Sequence, residues 1–390
     1  MRPHPCKTPV FCNTLSRPTR RPGRLAWLAT ALLATAWAPA WADDTPLAPT
    51  VLQVGPTRAI RTLAEAARLA VHGSRIEVDA GDYRRDTAVW PQHRLQLQAV
   101  GGRVRLLADG AAAQGKGIFV ILGDGVSVEG FDFVGAQVPS LNGAGIRLQS
   151  GSLRVRDCRF LDNESGILTG NDPATELDVE ASEFGHQRRA DGYNHHLYAG
   201  TIARLRVERS YFHHAAGGHL LKSRAAINQI VDNRLIDGDG GQASYELEFP
   251  NGGQATVEGN VIAQSSTTEN PVMVSFGVEG YRSGPQSLRL LHNTLVNPLT
   301  GAAPWVRVSP ANPPGAVQLT MLHNLWVGAV DGTVLDNTGL DLAGSPATTG
   351  TNLAVALADL EDPAHGDYRL RRSARAASPS APGAAQAARP

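Results

Sequence analysis

Short runs of alternating apolar and polar residues recur along the chain between Val126 and Trp326. Alternation with a period of two over such runs is typical of β-strands. The central apolar residue of each run returns every 24 to 33 residues, at Val128, Val155, Val179, Val207, Val231, Val257, Leu290 and Met321. A repeat of this length predicts a solenoid, in which each unit buries its apolar face against its neighbours.

The pattern favours a parallel β-helix over other repeat architectures. Gly, Asn and Asp clusters separate the runs, and 41 of the 390 residues are Gly, which argues against helical repeats. The leucine spacing of leucine-rich repeats is absent, and propeller blades are longer than these intervals. Two columns of equivalent residues indicate stacked coils. A bulky column holds Phe133, Phe160, Phe184, Phe212, Ile236, Ile262, Leu295 and Trp326, and a turn column holds Asn260, Asn293 and Asn324. We therefore predict an all-β, single-stranded, right-handed parallel β-helix.

The chain resembles the pectate-lyase-like superfamily of right-handed β-helix proteins. Its segment VLQVGPTRAIRTLAEAARLAVHGSRIEVDAGDY (51–83) is similar to the first strand, short capping helix and first coil of that superfamily, and the helix is expected within 62–71. The segment DPAHGDYRL (362–370) resembles the closing segment of many members. The resemblance covers about residues 50–372 and implies the fold more than an activity. The signature elements of polygalacturonases, alginate C5-epimerases and the main pectate lyases are missing.

Both termini are expected to lie outside the folded domain. Residues 1–42 resemble a secretory signal peptide, because arginines precede an apolar run from Leu25 to Trp37 and Ala40-Trp41-Ala42 is a small-x-small cleavage site. We predict a periplasmic or secreted protein, by either the general or the twin-arginine route. The β-helix domain would then be 43–372, followed by a disordered Ala-, Pro- and Ser-rich tail at 373–390.

Charge and cysteine content narrow the classes of partner. The chain has 36 basic and 36 acidic residues, and removal of residues 1–42 leaves 30 basic and 36 acidic residues, a net charge of −6. This balance argues against nucleic-acid binding. No later stretch is long and apolar enough to insert into a membrane. Cys158 would be the only cysteine left, so neither a disulfide framework nor a cysteine metal site is expected. It falls at the turn column, where we expect it to pack as a small residue.

Polar residues are concentrated in three consecutive coils: YNHHLYAG (193–200), GHLLKSRA (218–225) and SYELEFPNGG (244–253). Leu197 and Leu221 each lie ten residues before the repeat position of their coil, which aligns the two leucines. Tyr198 then aligns with Lys222. If these leucines point inward, strict alternation places six side chains on one outer face: His196, Tyr198, Lys222, Arg224, Glu246 and Glu248. His195 and His219 are expected to face inward or to flank this patch.

In the pectate-lyase-like group this face commonly carries the substrate cleft, which implies β-elimination from a uronic-acid polysaccharide. The reaction needs a cation for the C6 carboxylate, a base for the C5 proton and a donor for the leaving oxygen. Arg224 suits the carboxylate because its fork binds bidentately. Lys222 is the predicted base, provided that Arg224 and burial lower its pKa. Tyr198 or His196 is the predicted donor. The predicted substrate-binding residues are His195, His219, Glu246 and Glu248.

Other interpretations of the acidic residues stay open. Glu246 and Glu248 are expected to orient the cations or to hold Ca²⁺. Asp237 and Asp239 would be further oxygen ligands or simply a solvated turn. The two glutamates also allow glycoside hydrolysis, although their i, i+2 spacing does not distinguish a retaining from an inverting enzyme. The charges could instead form an exposed ion-pair network, on a protein that binds glycan without cleaving it. We predict a polysaccharide lyase, with a hydrolase and a glycan-binding protein as alternatives.

Overall fold

The computed structural model describes residues 50–188, 194–268, 270–301, 303–310, 313–329, 334–336 and 350–377. The predicted signal peptide 1–42 and the tail beyond residue 377 lie outside these ranges. A short helix, Arg372–Ala377, covers the first residues of the predicted 373–390 tail. No helix in the described ranges is both long and apolar enough to cross a membrane.

Parallel strands stack into a β-solenoid, in which a typical turn contributes two strands to a 20-stranded sheet and one to a ten-stranded sheet, counted over the described residues. The 20-stranded sheet contains Val51–Val54, Arg75–Arg84, Gln96–Leu107, Val126–Glu129, Phe131–Val134, Ser152–Arg156, Arg159–Leu161, Glu176–Glu180, Glu183–Gly185, Arg204–Glu208, Tyr211–His213, Ile227–Val231, Arg234–Ile236, Gln254–Glu258, Val261–Ala263, Gln286–Leu291, Thr294–Asn297, Val317–Leu322, Leu325–Gly328 and Leu353–Val355. The ten-stranded sheet contains Ala88–Trp90, Gly117–Ile121, Ala144–Leu148, Ser165–Thr169, His195–Ala199, His219–Ser223, Tyr245–Phe249, Val274–Phe276, Val306–Val308 and Leu335–Asp336. The predicted all-β parallel solenoid is confirmed.

The two ends of the solenoid carry the small elements expected there. The helix Leu63–Leu69 begins after Thr62, whose Oγ1 accepts a hydrogen bond from the backbone N–H of Glu65 at 3.1 Å, a standard N-cap. At the other end, two 3₁₀ helices and an antiparallel strand pair form the closing segment. Their bounds are Leu357–Asp359, Pro363–His365, Leu360–Asp362 and Asp367–Leu370.

A column of aromatic rings runs through the core. Phe133, Phe160, Phe184 and Phe212 stack with successive ring centroids 5.0, 4.7 and 4.5 Å apart and almost parallel planes. Each ring is buried, so these coils share one register of a single apolar core. The predicted phenylalanine column is confirmed.

The predicted register is wrong by one residue in the following coil. Val207 pairs with Ile230 rather than with Val231, and Phe212 pairs with Leu235 rather than with Ile236. The reason is the length of the turn that leads into the strand Ile227–Val231. This turn is one residue shorter than the turn that leads into the equivalent strand Arg204–Glu208 of the preceding coil. A spacing counted across that turn therefore places the repeat one residue too late.

An asparagine ladder lines one corner of the solenoid and is longer than the three residues predicted. It runs through five successive turns: Asn233, Asn260, Asn293, Asn324 and Asn352. The side-chain Oδ1 of each residue after the first accepts hydrogen bonds from the backbone N–H and the Nδ2 of the residue before it, at 2.8–3.0 Å. In the preceding turns Ser210, Ser182 and buried Cys158 continue the same column. The ladder satisfies backbone groups that the corner would otherwise bury unpaired.

We expect Asn293→Ala to lower the free energy of unfolding by about 3 kcal/mol, because it leaves several buried groups without partners. Asn293 accepts from the Asn260 backbone at 3.0 Å and donates to the carbonyl of Val257 at 2.9 Å. Urea unfolding monitored by circular dichroism measures the change. The control is Asn352→Ala at the half-buried end of the ladder, where we expect a smaller loss. Equal losses at both positions would show that the ladder does not stabilise the corner.

Candidate functional site

The ten-stranded sheet aligns the polar coils as predicted. Tyr198 pairs with Lys222, and Lys222 pairs with Glu248. The same row continues in the opposite direction through Leu168 to Arg147. Since adjacent parallel strands are about 4.8 Å apart, five consecutive strands present one row of side chains. The alignment of Leu197 with Leu221 is also confirmed, because the turn that follows Leu221 is one residue shorter and offsets the one-residue error at Val231.

A groove of about 780 Å³ lies over this row. It is lined by Ser140, Leu141, Asn142, Arg147, Ser165, Leu168, Thr169, Asn171, His195, Tyr198, Lys222, Arg224 and Glu279. Three of the lining side chains are cations and one is a carboxylate, so the groove has a basic character. Of the predicted outer patch, the groove brings together Tyr198, Lys222 and Arg224.

Strict alternation assigns the wrong face to two of the predicted catalytic or binding residues. His196 and Glu246 are fully enclosed, with 3% and 0% of their surfaces exposed. Each immediately precedes an inward-facing leucine, so two consecutive residues of the strand point into the solenoid. The same position in earlier coils is Gly166, where a Cβ would lie 2.6 Å from Phe184 in the core. This local break in the period of two is the physical reason for the error.

The two histidines expected to face inward or to flank the patch lie on the groove side, where they flank it. His195 lines the groove, and its ring stacks against Tyr198 with centroids 5.5 Å apart. His219 packs edge-on against His195 at 4.5 Å, and its Nε2 lies 2.9 Å from Oε2 of Glu248. Both side chains are therefore neighbours of the Tyr198–Lys222–Glu248 row. Their predicted role in substrate binding stays a prediction.

Lys222 is held between two carboxylates. Its Nζ lies 2.8 Å from Oε2 of Glu248 and 2.9 Å from Oε1 of Glu279. Burial by itself lowers the pKa of Lys222, but these carboxylates outweigh burial and the pKa is raised. The expectation that Arg224 and burial lower the pKa is therefore wrong. Lys222 is a protonated cation at neutral pH, which argues against its predicted role as the base.

Glu279 was not among the predicted site residues, although it connects two of the cations. Its Oε2 lies 2.6 Å from Nη2 of Arg224, in addition to its contact with Lys222. Burial by itself raises the pKa of this carboxyl, but hydrogen bonds from Lys222 and Arg224 outweigh burial, so the pKa is lowered. Glu279 follows the strand Val274–Phe276 in a turn region, where alternation along strands gives no signal.

Arg224 also holds Tyr198. Its Nε donates a hydrogen bond to the Tyr198 hydroxyl oxygen at 2.8 Å, and Nη1 contacts the side-chain oxygen of Asn251. Since the guanidinium donates to the phenolic oxygen, the hydroxyl proton is left free to point elsewhere. Tyr198 is half-buried and lines the groove. Its hydroxyl is thus fixed in position and available for proton transfer.

Arg147 is the groove cation for which the described residues provide no partner. Among the described residues its guanidinium has neither an acidic partner nor a hydrogen bond, and its Nε is buried. Burial lowers the pKa of Arg147, and the nearby Tyr198 raises it by less. Arg147 was not among the predicted site residues, although GIRL (145–148), two coils upstream of Tyr198, occupies the same register. An unpaired, partly desolvated guanidinium is suited to bind a carboxylate bidentately.

The predicted glutamate pair does not form. Glu248 belongs to the groove row, whereas the Glu246 carboxyl is buried, and neither of its oxygens has a hydrogen-bond partner among the described residues. Burial, with the nearby Asp237, raises the pKa of Glu246 well above its ordinary value. The two carboxyls therefore lie on opposite sides of the strand and cannot share a Ca²⁺ ion. The predicted role of Glu246 in binding substrate or metal is wrong for the same reason.

Two other residues that were candidates for the site, His196 and Asp237, are buried. Burial lowers the pKa of His196 to about 3, so it is a neutral core side chain rather than a donor in the groove. Asp237 is buried and accepts hydrogen bonds from the backbone N–H groups of Ala215 at 2.8 Å and Ala243 at 2.7 Å. It is therefore not a solvated turn residue. Both of its oxygens already have protein partners.

His195 has a defined tautomer. Its Nδ1 accepts a hydrogen bond from the backbone N–H of His219 at 3.1 Å, which leaves the proton on Nε2. Burial, then the neighbouring His219 and Lys222, lowers its pKa well below the ordinary value. His195 is thus a neutral hydrogen-bond donor beside the groove.

Comparison with known proteins adds little beyond this description. No family model matches the chain, and no curated protein matches it. A solved structure described as a new PL6 alginate lyase in complex with a trisaccharide is similar at 14% identity, with a TM-score of 0.31. The similarity covers 78% of this chain and 63% of that chain, which is less than two thirds of its length. At this level the likeness carries no argument about activity.

Proposed function

We propose that the groove binds an acidic, uronic-acid-containing polysaccharide and cleaves it by β-elimination. The observation that carries this proposal is that one groove contains both a guanidinium without a partner among the described residues, that of Arg147, and a phenol held in place, that of Tyr198. Arg147 has neither an acidic partner nor a hydrogen bond among the described residues, and it lines the same groove as Tyr198, two strands away in the same row. The Tyr198 hydroxyl is in turn fixed by Arg224 at 2.8 Å.

The chemistry assigns a separate task to each group. Arg147 pairs with the C6 carboxylate, which reduces its negative charge and makes the C5 proton more acidic. The phenolate form of Tyr198 removes that proton. The C4–O bond then breaks as the C4=C5 double bond forms, and the Tyr198 hydroxyl returns the proton to the leaving oxygen. The guanidinium of Arg224 would stabilise the phenolate oxygen at each stage.

The remaining groups prepare the groove rather than transfer protons. Lys222 is fixed by Glu248 and Glu279, so it presents a cation whose position does not have to be ordered when substrate binds. His195 offers an Nε2–H donor for a sugar oxygen. The groove volume of about 780 Å³ is of the size that accommodates small ligands, so it would hold a few sugar units of a longer chain.

Hydrolysis by paired carboxylates receives less support. Glu246 is turned into the core, and Glu248 and Glu279 both contact Lys222. Burial raises the pKa of Glu248, but His219 and Lys222 outweigh it and lower the pKa. A glycosidase acid needs a carboxyl that keeps its proton at working pH, and neither groove glutamate is in that state.

A product assay tests this proposal. Purified protein is incubated with polygalacturonate, alginate and glucuronate-containing polymers, and both new reducing ends and ultraviolet absorbance of the unsaturated uronate are recorded. We expect both signals to rise together on at least one polymer. Reducing ends without absorbance would indicate hydrolysis. Retention of polymer without either signal would indicate a binding protein, and each outcome would contradict the lyase.

Arg147→Ala is expected to reduce the cleavage rate at least tenfold, since it removes the proposed carboxylate partner. The matched control is Arg289→Ala, because Arg289 is an exposed arginine on a strand of the 20-stranded sheet, away from the groove. We expect the control to cleave at the unaltered rate. Equal rates for the two variants would remove Arg147 from the site.

A further inference from the structure

Three histidines converge at a corner of the solenoid, outside the residues that line the groove. One ring nitrogen from each of His186, His213 and His214 lies within 4.8 Å of the others. His213 is buried, His214 is half-buried and His186 is exposed, so the cluster opens to solvent on one side. None of these residues lines the proposed polysaccharide groove.

Parallel stacking of two coils creates the cluster. The strand Glu183–Gly185 pairs with Tyr211–His213, with Gly185 opposite His213. His186 and His214 follow these strands at the same turn position, and their rings stack with centroids 4.9 Å apart. A Cβ on Gly185 would lie 2.2 Å from the His213 ring. Glycine at this position therefore provides the space in which the third imidazole lies beside the other two.

A carboxylate orients the buried histidine. Nε2 of His213 lies 3.3 Å from Oε1 of Glu183, which favours the tautomer that carries its proton on Nε2. Nδ1 of His213 then carries the lone pair and accepts a hydrogen bond from Nδ1–H of His214 at 2.7 Å, and a bound metal ion would displace that proton. A carboxylate that fixes the remote nitrogen of a ligating imidazole is a recurrent feature of protein metal sites.

We propose that His186, His213 and His214 bind a divalent first-row transition metal ion, of which Zn²⁺ is the representative, with Glu183 orienting His213. Imidazole nitrogen suits Zn²⁺, Cu²⁺ and Ni²⁺, whereas Ca²⁺ and Mg²⁺ prefer oxygen ligands. Zn–N bonds of about 2.0–2.1 Å require only modest ring movements from this arrangement. Three protein ligands leave the fourth tetrahedral position to water. The site is independent of the proposed lyase activity and connects two neighbouring coils.

Calorimetric titration tests this proposal, with ZnCl₂ added to the full chain after removal of any polyhistidine tag. We expect one Zn²⁺ ion per chain. His186→Asn and His214→Asn should each weaken binding at least tenfold, and Asn is chosen because both positions have left-handed backbone angles that it tolerates. The matched control is His323→Asn, since His323 has a similar backbone angle and stacks on His292 at 4.9 Å. It should bind Zn²⁺ as the unaltered chain does.

Thermal unfolding provides a second readout. Zn²⁺ should raise the melting temperature of the unaltered chain and of His323→Asn, because a ligand that binds the folded state stabilises it. Melting of His186→Asn and His214→Asn should not respond to Zn²⁺, while their far-ultraviolet circular dichroism matches that of the unaltered chain. Absence of binding by the unaltered chain, or equal binding by all four proteins, would overturn the proposal.

Discussion

Tyr198→Phe is expected to lower the rate of polysaccharide cleavage by a factor of about 10²–10⁴, the range over which a positioned proton-transfer group contributes. The substitution removes the hydroxyl that accepts a hydrogen bond from Arg224 at 2.8 Å and leaves the ring in place. Binding of the polymer should change far less, because Arg147, Lys222 and Arg224 keep their charges. Initial rates and binding isotherms on the best polymer substrate separate these two effects.

The control for this experiment is Tyr368→Phe. Tyr368 belongs to the closing strand Asp367–Leu370 and does not line the groove, so its variant should cleave at the unaltered rate. If Tyr198→Phe retains more than half of the activity while Arg147→Ala loses it, Tyr198 does not transfer the proton. The lyase proposal would then need a different base.

Glu246→Leu is expected to stabilise the protein by about 1–3 kcal/mol at neutral pH, the cost of a buried polar group that has no partner. Both oxygens of Glu246 are buried without a hydrogen-bond partner among the described residues. In the preceding coil the residue opposite Glu246 is Leu220, because the residues on either side of these two pair with each other. Leucine therefore fits the column. Glu258→Leu, at a partly exposed position of the 20-stranded sheet, should give no comparable gain.

The effect of Glu246 should depend on pH in a defined direction. Its folded-state pKa is raised well above the ordinary value, mainly by burial, whereas in the unfolded chain it ionises near pH 4.3. Its contribution to stability is thus fully present below about pH 4.3 and is lost as pH rises through the folded-state pKa. The stability difference between Glu246→Gln and the unaltered chain should therefore grow as pH rises from about 4.3 to the folded-state pKa of Glu246. A difference that stays constant from pH 4 to pH 9 would contradict the raised pKa.

The repeat pattern predicted the fold because coil stacking turns sequence spacing into contacts. The stacked phenylalanines and the asparagine corner could be read directly, since each turn of the solenoid repeats the same environment. The one-residue slip at Val231 shows the limit of this reasoning. Turn lengths between strands vary, so a register counted across a turn has an uncertainty of one residue, and only pairing of the strands themselves removes it.

The site was harder to predict than the fold for two physical reasons. The strand that contains His196 has two consecutive inward residues, so the alternation rule exchanged His196 with His195 and placed Glu246 outside. Glu279 contacts Lys222 from a turn that has no register in the repeat. By contrast, Arg147 could have been found from sequence by extending the same row to earlier coils. The errors therefore concern where side chains lie, which depends on contacts between distant parts of the chain, and not which residue types belong in such a site.

The most direct test of the central claim compares one polymer with and without its carboxylates. The best uronate substrate is reduced at C6 to the neutral sugar, and cleavage and binding are measured side by side for both polymers. We predict that the reduced polymer is not cleaved and binds at least tenfold more weakly, because Arg147 then has no carboxylate to bind and C5 no acidic proton. Equal cleavage or binding of the two polymers would contradict the assignment of this groove to acidic glycans.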